Sequence, residues 1–343
     1  AMAVIRGFSR KSWEGLAGLG LTALAVPESH GGMGFGPVDA MVVMEELGRG
    51  LVMEPYAQGA LVSPAVLAHA PDAVQAEWLL RIAGGDALVV LAHQERKARY
   101  RLDVCETIAS VDHRLTGAKS LVPAGDQAQA FIVPARSGGA QGGIALYLVA
   151  KDAAGVSLKG YALHDGSRAA ELTLQDAPAT LLVGPDQGLA VLEHAVDIAI
   201  AAQAAEAVGT MDKFILLTAD YLNTRKQFGV AISSFQALRH RIADVKMQLE
   251  LARSMSYYAT LKLNEPADAR RRAISQAKVQ LGQSMRYVGQ QCVQLHGGIG
   301  VTDEYIGSHY FKRLTVMEMQ YGDTLHHLGE VSARMQDQAG VFA

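Results

Sequence analysis

The run Leu189-Ala190-Val191-Leu192-Glu193-His194-Ala195-Val196-Asp197-Ile198-Ala199-Ile200-Ala201-Ala202-Gln203-Ala204-Ala205-Glu206-Ala207-Val208-Gly209 continues to about Lys226 with neither a proline nor a glycine pair. Rich in Ala, Leu and Ile and free of breakers, it predicts one helix of roughly 55 Å at 1.5 Å rise per residue. The most apolar part of the chain, Gly188 to Val208, still carries Glu193, His194, Asp197, Gln203 and Glu206. A lipid-crossing helix needs about 20 consecutive apolar residues. The pattern therefore predicts a core helix and no membrane span.

Working outward, Ser233-Ser234 offer caps for a second long helix from Phe235 to about Leu263, with Leu238, Ile242, Val245, Leu249 and Ala252 on one stripe. Pro266 opens a third, running to Leu295 before Gly297-Gly298, and a fourth covers about Thr302 to Tyr321. Long amphipathic helices joined by short turns predict a four-helix bundle over residues 185–343. Upstream of Gly184-Pro185-Asp186 the period shortens. Val89-Val90-Leu91, Phe131-Ile132-Val133, Ile144 to Val149 and Ala170 to Leu174 are short apolar or alternating runs between turns such as Asp165-Gly166. They predict a small β-barrel or sandwich over 86–184. Residues 1–85 read as helix, with Pro37 suited to a first helical position because its missing N–H would be unpaired there anyway. The fold class is α+β: helical N-terminal domain, β middle domain, helical bundle.

The 343 residues carry 31 Lys+Arg against 34 Asp+Glu, a net charge of -3, so a basic nucleic-acid platform is not expected. Two distant cysteines, Cys105 and Cys292, exclude a disulfide framework and fit a reducing compartment. The opening residues show no signal-peptide pattern, and the expectation is a soluble, cytoplasmic protein.

Three constellations could carry chemistry. Arg225-Lys226-Gln227-Phe228-Gly229, followed by Phe235-Gln236, sets an Arg and a Gln beside a glycine turn, a fork suited to a pyrophosphate. Taken alone, it reads more readily as a basic helix C-terminus with a glycine cap. Gln294-Leu295-His296-Gly297-Gly298-Ile299-Gly300 lets a backbone approach a flat or phosphorylated ligand, with Gln and His as flanks, or is a plain C-cap. Tyr321-Gly322-Asp323-Thr324-Leu325-His326-His327 is an acid/base cluster or an N-cap Asp before a short last helix. His296, His309, His326 and His327 lack metal-ligand spacing, and no metal site is expected.

With Leu19-Gly20-Leu21 through Val26-Pro27-Glu28 to Gly31-Gly32-Met33-Gly34, and Leu115-Thr116-Gly117-Ala118-Lys119-Ser120, these segments resemble the acyl-CoA dehydrogenase family over nearly the whole length. The resemblance implies FAD between the β domain and the bundle of a dimer of dimers, an acyl-CoA substrate and an electron-transfer flavoprotein as acceptor. Arg225 and Gln227 would hold the pyrophosphate of a shared FAD. Phe228, Phe235 and Gln236 would meet its adenosine part, and Gln294, Gly297 and Gly298 would complete the clamp. Tyr287, Val288, Cys292 and Val293 are expected at a subunit interface.

The family's pattern breaks in three places. Its usual base is a Glu nine residues after an Arg on the last bundle helix, and nine from Arg313 is Gly322. Asp323 is the nearest carboxylate and the candidate catalytic residue. The alternative base position, on the first long helix, falls near Ala199-Ile200, with Asp197 closest. Leu91-Ala92-His93-Gln94-Glu95-Arg96-Lys97 stands where the family has a Thr at the flavin. These losses resemble the small subunits of bacterial heteromeric acyl-CoA dehydrogenases, which act with a larger chain, often on dicarboxylic or sterol-derived acyl-CoA. Three readings follow. The chain is a dehydrogenase in its own right with Asp323 as base, a degenerate subunit lending FAD contacts to a partner in a hetero-tetramer, or a non-enzymatic CoA-ester binder.

Overall fold

A computed structural model describes residues 7–139 and 142–339, with side chains as far as residue 335. Four helices come first: α1 (Arg10–Gly18), α2 (Pro37–Arg49), α3 (Ser63–Leu67), which continues a π-helical turn at Ala57–Val62, and α4 (Asp72–Ala83). Eight strands follow: β1 (Val89–Leu91), β2 (Ile108–Ala109), β3 (Arg114–Pro123), β4 (Ala130–Ser137), β5 (Ile144–Ala150), β6 (Val156–Ala162), β7 (Arg168–Pro178) and β8 (Thr180–Val183). The rest is α5 (Gly188–Thr224), a hairpin of β9 (Lys226–Gln227) and β10 (Val230–Ala231), then α6 (Gln236–Leu261), α7 (Ala267–His296), α8 (Ile306–Met319) and α9 (Thr324–Ala339). The helix–strand–helix order read from periodicity is the order observed.

By packing, the described chain forms two compact units. One holds residues 7–40 and Met53–Ala199, the other Met41–Val52 and residues 200–339. In the first, the strands run in the order β6-β7-β3-β2-β4-β5-β8, mainly antiparallel, with β1 parallel to β4. Their inner face closes around Val90, Leu115, Phe131, Val133, Tyr147, Leu172 and Leu174, and Trp13 of α1 packs into the same core. The Trp13 indole N–H donates to the Gly85 carbonyl at 3.0 Å, so this large ring buries its body without orphaning its donor.

The second unit is built on α5 as its apolar axis. This helix is long and apolar enough to cross a membrane, but 72% of that apolar window is buried inside the protein. α2 lies on it at backbone contact. A Cβ on Gly48 would collide with the Glu206 carbonyl oxygen, and one on Gly209 with that of Glu45. Ion pairs from Arg49 to Asp212 and Glu45 flank the crossing. Around α5, the α6 stripe buries Val245, Leu249 and Ala252, and α7 buries Val288 and Cys292.

Four local expectations are corrected. α6 is not capped by Ser233-Ser234: these lie in a 3₁₀ turn, the Ser234 hydroxyl donates to the Ala231 carbonyl at 2.7 Å, and the N-cap is Phe235 with no side-chain bond. α5 ends at Thr224, so Gly229 belongs to a hairpin and is no helix cap. The last helix is not short, since α9 covers 16 residues and is the fifth helix after the strands. Val288 and Cys292 lie in this chain's own core. Apolar side chains left exposed include Met247, Leu251 and Leu261 of α6 and Leu325, Leu328 and Met335 of α9.

Candidate functional site

The hairpin after α5 presents the first constellation. Gln227 pairs with Val230 and Lys226 with Ala231, leaving Phe228 and Gly229 as a two-residue loop. Their φ values of 55° and 80° are those of a type I′ turn, the twist-matched connection for antiparallel strands. Gly adopts that conformation freely, whereas Phe pays a steric cost for it. Phe228 is nevertheless 92% exposed, touched edge-on by Phe235 at a centroid distance of 6.1 Å. The exposed Gln227 amide donates to the Lys226 carbonyl at 2.8 Å, and Gln236 is exposed at the first turn of α6. Among the described residues the exposed Arg225 side chain has no hydrogen-bond or ion-pair partner.

The second constellation ends α7. Gly297 has φ 64° and ψ -142°, and a Cβ on it or on Gly298 would meet nothing within 4 Å. Both glycines and Gln294 are exposed, so the backbone there is bare. His296 is no ligand flank. Its Nδ1–H donates to the Cys292 carbonyl and its Nε2 accepts from the Tyr305 hydroxyl, both at 2.8 Å. Burial lowers its pKa from the ordinary imidazole value, which favours this neutral tautomer. The Tyr221 ring lies 4.7 Å from the His296 ring. Tyr221 is one turn before Arg225, so this aromatic contact brings the hairpin and the glycine turn to the same end of the unit. Sequence reading missed Tyr221 and Tyr305, because aromatic residues at helical spacing look like ordinary core.

Asp323 lies apart from these segments. Its Oδ1 accepts the His326 backbone N–H at 2.8 Å, the geometry of an N-cap on α9. The neighbouring His327 touches Ser275 near the start of α7. The helical rise from Ser275 to Gly297 is roughly 30 Å at 1.5 Å per residue. At Gly322 a Cβ would stand 2.6 Å from His326 Cδ2 and from His327 Nε2, so the imidazoles fill the space a side chain there would need. Arg313, nine residues earlier, pairs with the buried Glu206 carboxylate at 2.5 Å. Asp197 is buried in α5.

Beside Asp323 the interior is polar. The buried Lys278 ammonium donates to Gln203 Oε1 at 2.8 Å and to the Met317 carbonyl at 2.6 Å. Burial pulls its pKa down to about 7, against the opposing charges of Glu318 and Asp323. Burial, with the Lys278 charge, pushes His327 down to about 3. His327 is thus neutral, its Nε2–H donating to the Tyr321 carbonyl at 3.0 Å. Since the unfolded imidazole protonates near 6.5, stability from His327 is complete above that pH and is lost as pH falls toward about 3. Urea midpoints of the native chain should therefore drop between pH 6.5 and 4, at up to about 1.4 kcal/mol per pH unit. His327→Gln should flatten that slope, and an unchanged slope would reject the assignment.

In the β-containing unit, the stretch after β1 folds inward. Glu95 is buried against Lys119 of β3, with Oε1 2.6 Å from Nζ, and it also accepts the backbone N–H groups of Glu106 and Thr107 and the Thr107 hydroxyl. Burial alone would raise its pKa, but the Lys119 charge and the donated bonds outweigh it and hold Glu95 at about 2. Arg96 and Lys97, by contrast, make exposed pairs with Glu171 and Glu106. Among the described residues no group of three or more His, Cys, Asp or Glu is placed to hold a metal ion.

Comparison with known proteins gives two family matches: acyl-CoA dehydrogenase, N-terminal domain, over residues 4–86, and acyl-CoA dehydrogenase, C-terminal domain, over residues 186–336. Acyl-CoA dehydrogenase IpdE2 of Mycobacterium tuberculosis is 31% identical, over 91% of this chain and 83% of its own. Acyl-CoA dehydrogenase FadE27 of the same organism is 27% identical, over 96% and 89%. Among solved structures, the ChsE4-ChsE5 complex from Mycobacterium tuberculosis contains a chain superposing with TM-score 0.88 at 26% identity, covering 98% of this chain and 90% of that one. The Tcur3481-Tcur3483 steroid ACAD, in a variant form, gives TM-score 0.88 at 29% identity, covering 97% and 90%.

Proposed function

Because the chain belongs to the acyl-CoA dehydrogenase family, we propose that it takes part in α,β-dehydrogenation of an acyl-CoA thioester as the smaller member of a heteromer, lending FAD contacts to its partner chain. FAD, the cofactor, supplies when bound the acceptor for the β-hydride. The observation that carries the heteromer is the base position: Gly322 has no side chain, and the two histidines occupy the space a carboxylate stem would need. Similarity to a chain of the ChsE4-ChsE5 complex supports the same reading.

What this chain would contribute follows from its exposed groups. Arg225 offers an unpaired guanidinium and Gln227 an amide for phosphate oxygens, a charge-assisted pairing where Arg is the stronger donor. Phe228, Phe235 and Gln236 would face the adenosine part, and the bare backbone at Gly297 and Gly298, flanked by Gln294, lets a ligand approach closely. The room around those glycines and the outward, strained Phe228 fit such a ligand. The exposed apolar residues of α6 and α9 would be covered in a tetramer with the larger chain, and an electron-transfer flavoprotein would reoxidise the assembly. A dicarboxylic or sterol-derived acyl group is the proposed substrate.

Arg225→Ala should lower FAD affinity of the assembled protein tenfold or more, since a charge-assisted bond contributes roughly 1.5–3 kcal/mol. Flavin absorbance after gel filtration checks this, and unchanged retention rejects the phosphate role. The heteromer itself is tested by expressing the chain alone and with a larger dehydrogenase chain, then reading flavin content, sedimentation and turnover. Flavin and turnover that appear only with the partner are expected. Asp323→Asn keeps the cap and should leave the turnover of the assembly intact. A thousandfold fall at normal flavin content would instead make Asp323 the base.

A further inference from the structure

Cys105 stands in the buried cluster around Glu95. Its Sγ is 3.4 Å from Glu95 Oε1, to which the thiol donates, and 3.6 Å from the Lys119 ammonium nitrogen. Lys119 is 1% exposed and Cys105 8%, so the amine is enclosed while the sulfur sits just under the surface. No second thiol is among the groups around Cys105, and both cysteines of the chain are free. Glu95 touches both reacting groups and holds thiol and amine side by side.

We propose that Cys105 and Lys119 form a peroxide-responsive sulfur–nitrogen cross-link, a modification site tying the 95–107 segment to β3. In the first step the Cys105 sulfur attacks one oxygen of hydrogen peroxide and gives up its thiol proton. The O–O bond breaks, the departing hydroxide takes the proton and leaves as water, and Cys105 becomes a sulfenic acid, oxidised by two electrons. In the second step Lys119 gives a proton to solvent, and the free amine attacks the sulfenic sulfur. The S–O bond breaks, and the hydroxyl leaves as water with the excess N–H proton. In total, one thiol, one ammonium and one peroxide give one S–N bond, two waters and one proton. Burial raises the Cys105 pKa, which keeps the thiol from reacting with bulky electrophiles. The Lys119 charge opposes that rise, and the nearby amine traps the product before further oxidation.

The test treats the full-length chain with hydrogen peroxide, alkylates remaining thiols, digests with trypsin and reads the peptides by mass. The expected result is a peptide joining Cys105 to Lys119, two hydrogens lighter than its parts, with loss of cleavage after Lys119 and restoration of both by a thiol reductant. Cys105→Ser leaves the Glu95–Lys119 pair in place and should abolish the linked peptide. Recovery of Cys105 as an alkylated thiol, or as sulfinic or sulfonic acid, with normal cleavage after Lys119 would overturn the proposal.

Discussion

Lys119→Met should cost the chain about 3–5 kcal/mol of stability at neutral pH, enough to leave much of it unfolded. The substitution removes the cation from a carboxylate that is 3% exposed and held at about 2 by that cation together with donated bonds. A buried charge left without its partner loses far more than an exposed pair ever contributes, because nothing replaces its lost hydration. Urea denaturation at pH 7 measures the loss. Adding Glu95→Gln should recover most of it, since the amide oxygen still accepts the N–H groups of Glu106 and Thr107 without a charge. In the native chain Glu95 stabilises above its unfolded value near 4.5, and that share is lost as pH falls through about 2. If Lys119→Met alone is as stable as the native chain, the pair has no structural weight.

Gly209→Val should have an effect of similar size through packing. A Cβ at this position would collide with the Glu45 carbonyl oxygen, and that obstacle is helix backbone, which cannot rotate away. Separating α2 from α5 would also pull Gly48 off the Glu206 carbonyl and stretch the Arg49 pairs to Glu45 and Asp212. Overpacking ordinarily costs about 1–3 kcal/mol, and the rigid backbone on both sides puts this site at about 3 kcal/mol or more. Calorimetry of Gly209→Val beside Gly209→Ala checks it, with the larger side chain expected to lower the melting temperature further.

Much of this was visible in residue order. An unbroken run from Leu189 requires a long helix, because each residue adds one backbone hydrogen bond and no proline removes one. Alternation and short apolar runs between turns required strands over the middle of the chain. The hairpin at Phe228-Gly229 is partly legible: a glycine turn is evident, but Phe in a left-handed conformation is contrary to local preference, so residue order favours a helix cap there.

The sequence by itself determined the order of helical and β regions, the buried character of α5, and the absence of a carboxylate nine residues after Arg313. Each is a local or counting property, set by periodicity, breakers and residue identity. Only the tertiary structure decided that Met41–Val52 packs with the bundle helices, because that depends on two glycines, Gly48 and Gly209, meeting across a helix crossing. It also turned His296 inward onto Tyr305, set His327 beside Gly322, and brought Glu95, Cys105 and Lys119 into one buried cluster. Charges distant in sequence leave no periodic trace of their pairing. Which of them meet is fixed by strand register and helix packing, through contacts that no short window of sequence contains.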